Sequence, residues 1–300
     1  MSAAPGSADA GTEGAEPVRR ASEIEDPTNL VLVHPVSNRL TPRLAAAGVH
    51  PNAVSLAGMA CGAAAGFAYH HPHDPRAVVA GFALMLAWHV LDGADGQLAR
   101  LTGKQSPTGK VLDGVCDYVT FAAVYVGLAS ALAPGRGAWV WGLVALSGAC
   151  HAVQSALYET QRQDYLFWGR GRASAEVLPA QVPAPRTGVA RIAAMLQAVY
   201  ARVQAFGGGV SAADRRRLAA VLGSPGAGAI RSRYRAAFAG PVRRWSVLSA
   251  NWRTLGLFGF AIAGAPLWYF GAEIVGLSAV LAVLLARQGA RYRRFFATLG

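Results

Sequence analysis

The stretch Asp92-Gly93-Ala94-Asp95-Gly96-Gln97-Leu98-Ala99-Arg100 closes one long apolar run of this chain, and Gly109-Lys110-Val111-Leu112-Asp113-Gly114-Val115-Cys116-Asp117 opens the next. On a helix, Asp92, Asp95, Gly96, Ala99 and Arg100 recur at i, i+3, i+4, i+7 and i+8 and share one face. Gly109, Asp113 and Asp117 share another at i, i+4 and i+8. The short connection between the runs predicts two antiparallel neighbours, with four carboxylates converging at one end of a bundle. Solvated helix-end aspartates paired with Arg100, Lys104 and Lys110 are the plainer reading. One-face spacing on two successive helices argues against it.

The wider composition supports a bundle in a bilayer. The 300 residues are 53% hydrophobic and 15% charged, where a soluble domain carries about 25% charged residues. Apolar segments near 52–70, 76–98, 110–133, 137–160, 252–270 and 271–289 each approach the ~20 helical residues that cross a ~30 Å hydrocarbon core. The segment from Ser37 to Ala47 sets Arg39 and Arg43 opposite Leu40 and Leu44, the pattern of a helix lying on the membrane surface. The fold class expected is an all-α integral membrane protein with six transmembrane helices. An N-terminal interfacial helix and a cytoplasmic helical insert between helices 4 and 5 complete it.

Charge gives the orientation. Of the 28 Lys and Arg residues, only Arg76 and Arg136 fall in connections on the side away from the termini. Positive residues stay cytoplasmic, so both termini and the aspartate end are expected to face the cytoplasm, in a bacterial inner membrane. The same uneven spread of the +12 net charge argues for bilayer orientation and against a nucleic-acid partner. Residues 1–27 lack a signal-peptide pattern and read as a disordered cytosolic arm, leaving 28–300 as the membrane domain. Within it, 161–251 is the basic insert. Helical spacing is expected over Arg191–Phe206 and from Ser211 to Leu222, with Gly/Pro breaks at 178–188 and 223–229. It reads as a membrane-hugging linker on anionic lipids or as an element that binds substrate.

Ionised groups inside a membrane are rare and pair or line a functional cavity. Four clustered anions also repel one another, and divalent cations resolve both costs. Oxygen donors without a Cys or His set select Mg²⁺ or Mn²⁺ over zinc. Gly96, Ala99 and Gly109 leave room against the helices for a large group such as a diphosphate. The three cysteines, Cys61, Cys116 and Cys150, lie in apolar runs without metal or disulfide spacing and read as small buried residues.

The pattern Asp-x2-Asp-Gly-x2-Ala-Arg-x8-Gly-x3-Asp-x3-Asp, Asp92 to Asp117, resembles the signature of the CDP-alcohol phosphatidyltransferases. The entry Pro51-Asn52-Ala53-Val54-Ser55 into the first span also looks like that family. The arm and the insert are not explained by it. The resemblance implies that Asp92, Asp95 and Asp113 hold two Mg²⁺ or Mn²⁺ ions, with Asp117 near the second. Gly96, Ala99, Arg100 and Gly109 would line the CDP site, and Asp117 would be the general base. The implied reaction moves a phosphatidyl or phospho-alcohol group from a CDP-linked donor to a hydroxyl acceptor and releases CMP. CDP-diacylglycerol with a polar alcohol is the leading form. A CDP-alcohol with a lipid hydroxyl is the alternative, because Ser106-Pro107 also looks like aminoalcohol transferases. A prenyltransferase or a transporter with intramembrane carboxylates fits less well. Membrane lipids are expected around the chain, and a homodimer is left open.

Secondary signals surround the motif. Lys104 and Lys110, the two lysines of the chain, are candidate phosphate contacts. His151, Gln154, Ser155, Tyr158, Glu159 and Arg162 approach the same end of the fourth span. His151, Ser155, Tyr158 and Arg162 are the acceptor-site candidates, against ordinary interhelical hydrogen bonds. His89 reads as a satisfied interhelical histidine. Trp268, Tyr269 and Phe270 read as an interfacial aromatic belt.

Overall fold

A computed structural model describes residues 21–172, 212–223 and 226–299. The helix expected over 191–206, Ser211 and most of the arm lie outside those residues. The described chain is helical. A short 3₁₀ turn, Ser22–Ile24, and a π stretch, Asn29–Val33, lead into α1 (His34–Ala46). The bundle then runs α2 (Pro51–Tyr69), α3 (Pro75–Leu101), α4 (Pro107–Arg136) and α5 (Trp139–Asp164), the last extended by a π stretch, Tyr165–Gly169. Next come α6 (Ala212–Leu222), α7 (Ala227–Arg244) and α8 (Ala250–Ile262). Finally α9 (Pro266–Gly271) passes through a π stretch, Ala272–Leu277, into α10 (Ser278–Ala297).

Four helical segments are long and apolar enough to cross a membrane: 75–101, 111–136, 139–169 and 266–297. The turn between the last two expected spans lies at 263–265, ahead of Pro266, rather than near 270. Proline cannot continue the preceding helix and is favoured at the first helical position. Three helix starts follow local chemistry. Pro51, Pro75 and Pro107 open α2, α3 and α4, capped by His50 Nδ1, the Asp74 carboxylate and the Ser106 hydroxyl.

The α3 and α4 helices were expected to pack on each other. They instead pack chiefly on α2, which lies along both. Glycines make this possible. Gly58 faces Trp88 and Leu91 of α3, while Gly62 and Gly66 face Thr120 and Ala123 of α4. A Cβ on Gly127 would lie 2.0 Å from the Gly66 carbonyl oxygen. Backbones that approach this closely leave no room for even a methyl group.

Middle bundle layers are locked by polar groups. Glu273 and Arg253 are fully buried and paired at 2.5 Å. Tyr125 donates to Glu273 at 2.5 Å, and Ser147 and Tyr269 also donate to it. Arg253 donates to Gln154 at 2.9 Å. Neither Glu273 nor Arg253 stood out in the sequence. Of the expected aromatic belt, Trp268 is exposed, but Tyr269 and Phe270 are buried in this core. His89 is the interhelical residue expected, bonded to Thr254 Oγ1 at 2.9 Å.

The described part of the insert is integral to the fold. Tyr234 and Phe238 of α7 and Leu218 of α6 share a core with Tyr165 of α5 and Tyr292 and Phe295 of α10. Arg215 grips Asp164 with two bonds of 3.0 and 2.9 Å. The end of the expected disordered arm is packed as well. Ile24 enters this core, and Glu25 and Asp26 are buried. Glu23 pairs with Arg170 and accepts from Tyr165 at 3.0 Å. Burial alone would push the Glu23 carboxyl up, but these donors and a backbone N–H outweigh it and hold it below the usual carboxylate range.

Two stability outcomes are expected, read by thermal unfolding in detergent. Gly127→Ala should destabilise by about 1–3 kcal/mol through overpacking, whereas Gly142→Ala, whose Cβ meets nothing within 4 Å, should not. Arg253→Met should cost about 3–5 kcal/mol by leaving Glu273 buried without its ion partner.

Candidate functional site

The aspartate motif assembles where α3 ends and α4 begins. Asp92, Asp95 and Asp113 place carboxylate oxygens within 4.8 Å of one another. Asp117 reaches Asp92 by a side-chain hydrogen bond, while its Oδ1 is buried with no hydrogen-bond partner. The α3–α4 turn needs Gly103, whose φ of 66° is unfavourable for a side chain. Ser106 then caps α4 by accepting from Gly109 N at 2.9 Å.

Other signature residues surround the cluster. Arg100 folds over Gly96, its Nη1 3.5 Å from where a Cβ would stand. Gly109 lies between Ser106 and Asn52, and a Cβ there would meet Asn52 Oδ1 at 3.6 Å. Ala99 is half-buried on the same face, and Lys104 is exposed in the turn. The Lys110 side chain lies outside the described atoms. Ser55 on α2, quoted in the sequence only as part of the Pro51–Ser55 entry and not as a site residue, donates to Asp95 Oδ2 at 2.5 Å.

One ring contact and one hydrogen bond fix relative heights. The Phe121 and His151 rings are 4.4 Å apart. One helical turn toward the aspartate end, at 1.5 Å rise per residue, brings Asp117 of α4 level with Ser155 of α5. The next brings Asp113 level with Tyr158 and Glu159. His151 itself points elsewhere, with Nδ1 3.3 Å from Tyr125 Oη and 3.8 Å from Glu273 Oε1. The rise therefore puts Ser155 and Tyr158 at the height of the aspartates and Arg162 a turn beyond; Tyr158 packs with Trp245, Leu248 and Leu281, and His151 joins the internal polar network. On the other flank, the His89–Thr254 bond sets Asn251 of α8 at the height of Asp92. Val33 and Ser37 cover Gly93.

The donor set fits a hard divalent cation. Three ionised carboxylates 4.8 Å apart repel by about 3.5 kcal/mol per pair at an effective dielectric of about 20. The orphaned Asp117 oxygen is a fourth donor awaiting a partner. All-oxygen ligation with room for phosphate oxygens suits magnesium-like ions. Asp92, Asp95 and Asp113 would hold such an ion, with Asp117 alongside. Ser55→Ala should weaken Mn²⁺ binding about 10–100-fold by freeing the Asp95 carboxylate, read by electron paramagnetic resonance titration of free Mn²⁺.

Comparison with known proteins bears on the family of the chain. The CDP-alcohol phosphatidyltransferase family matches residues 48–210. Similar curated relatives include the CDP-diacylglycerol–serine O-phosphatidyltransferases of Mycobacterium bovis and Mycobacterium tuberculosis, each 31% identical over 125 residues. The chain spans 40% of the length of these relatives, over 40% of its own. No solved structure matches. The signature residues converge on one site, its oxygens suit a divalent cation, and more than half of the chain matches the family: the protein belongs to the CDP-alcohol phosphatidyltransferases.

Proposed function

We propose that the protein transfers a phosphatidyl group from CDP-diacylglycerol to a small polar alcohol and releases CMP. The observation that carries this reading is the convergence of four aspartates from α3 and α4 beside a glycine-lined face. The relatives' name pairs CDP-diacylglycerol with serine and supports the choice of donor. Six crossings are proposed, with α2 and α8 added to the four longer segments. The arginine distribution supports a cytoplasmic aspartate end in a bacterial inner membrane.

Asp92, Asp95 and Asp113 would hold two Mg²⁺ ions, which when bound would supply Lewis-acid neutralisation of the diphosphate, and Gly96, Ala99 and Gly109 leave space for the nucleotide. Arg100 and Lys104 offer positive charge to its phosphates. Asp117 lies level with the α5 face where an acceptor would approach, so it is the group placed to take the acceptor's hydroxyl proton. The acceptor oxygen then forms a bond to the β-phosphorus. The bond from that phosphorus to the bridging oxygen breaks, and its electron pair leaves on CMP. Ser155, Tyr158 and Arg162 form the acceptor wall.

The test is CMP release by purified protein from CDP-diacylglycerol with a panel of alcohols. Activity should be lost on chelation and restored by Mg²⁺. Asp117→Asn should lower kcat by about 10²–10⁴-fold with Mn²⁺ still bound. Release from a CDP-alcohol with diacylglycerol, and none from CDP-diacylglycerol, would reverse the assignment of donor and acceptor.

A further inference from the structure

The last helical segment ends in positive charge on one face. It runs from Pro266 to Ala297 and is long and apolar enough to cross a membrane. Trp268 at its start is exposed, as an interfacial anchor would be. At 1.5 Å rise per residue, Arg287 stands about 31 Å from Pro266, close to the ~30 Å thickness of the hydrocarbon core. Val275, Ala279, Ala282 and Val283 are exposed between them. Beyond them Arg287, Arg291 and Arg294 follow at i, i+4 and i+7 and share a face. The surface of α10 therefore changes from apolar to cationic at the depth where lipid tails give way to headgroups.

This charge is not met within the described chain. Arg287 and Arg294 are exposed and Arg291 is half-buried. Arg291 donates to the Ala237 carbonyl at 3.2 Å, which seats it in the seam between α7 and α10. Arg244, exposed at the end of α7, and Arg294 both act on it as like charges. No described carboxylate pairs with Arg244, Arg287, Arg291 or Arg294. Other arginines of the insert are matched: Arg215 by Asp164, and Arg231 and Arg235 by the carbonyls of Phe167 and Gly169. Like charges held together repel, and an anion seated among them relieves the repulsion. The planar fork of a guanidinium matches the oxygens of a phosphate.

We propose that Arg244, Arg287, Arg291 and Arg294 form a site for the phosphate of an anionic phospholipid in the adjoining leaflet, its acyl chains lying along α10 at Ala279 and Val283. The exposed apolar stripe that leads up to the arginines favours a lipid over a soluble phosphate. A zwitterionic headgroup brings its own ammonium into the cluster and gains less. A lipid held there ties α7 of the insert to the last span. The site is built on α7 and α10, away from the aspartate helices, and does not depend on the transfer reaction proposed above.

The full chain, purified in detergent, is titrated with phosphatidylglycerol and with phosphatidylcholine of the same acyl chains, and bound lipid is counted by native mass spectrometry. Phosphatidylglycerol should bind at least about tenfold more tightly, and Arg244→Gln with Arg291→Gln should abolish that preference. Should this pair prevent folding, Arg287→Gln with Arg294→Gln, both at exposed side chains, gives the same reading. Arg39→Gln with Arg43→Gln removes as much charge from α1 and should leave the preference within about twofold. Equal binding of the two lipids by the native chain overturns the proposal, as does a preference that survives loss of the α7 and α10 arginines. An equal loss in the Arg39 and Arg43 variant overturns it in favour of general surface charge. Displacement of the lipid by an equal concentration of glycerol 3-phosphate overturns it in favour of a soluble phosphate.

Discussion

The aspartate faces of α3 and α4 look toward one another because α2 runs along both without side chains in the way. Gly58 admits Trp88 from one side, and Gly62 and Gly66 admit Thr120 and Ala123 from the other. With α2 holding both helices, α3 and α4 need not pack directly, and the space between their ends stays open for carboxylates. Ser55, on the same helix, then fixes Asp95 by a hydrogen bond. One helix thus sets the spacing of the site and orients one of its ligands.

Carboxylates inside a bundle need compensation. In the middle layers, Glu273 is satisfied permanently by Arg253, Tyr125, Tyr269 and Ser147. Such a group is structural because its charge is already met. At the aspartate end, Asp117 keeps a buried oxygen without a hydrogen-bond partner beside the other three carboxylates.

The described part of the insert and the N-terminal segment pack on the ends of α5 and α10. Aromatic packing by Tyr234, Phe238 and Tyr292, together with the Arg215–Asp164 clamp, fixes the ends of α5 and α10. The segment carrying Glu25, Asp26 and Asn29 is held against those ends by Ile24 and by Ser249 and Asn251. Polar groups distant in sequence are thereby brought near Tyr158 and Arg162 of α5.

The sequence by itself determined the helical membrane class, the aspartate motif and the pairing of its two faces. Those features are periodic and local: a carboxylate every three or four residues and apolar runs of bilayer length can be read without knowing any neighbour. His89 was legible for the same reason, as a polar group in an apolar helix that must find a partner. The tertiary structure alone decided that α3 and α4 pack chiefly on α2, since close approach depends on which glycines face which backbone. It also decided that Tyr269 and Phe270 are core, that Glu273 meets Arg253, and that Glu25 comes near Arg162 and Asp26 near Tyr158. Each of these depends on contacts between residues far apart in the chain, and helical periodicity carries no information about which distant face a helix will meet.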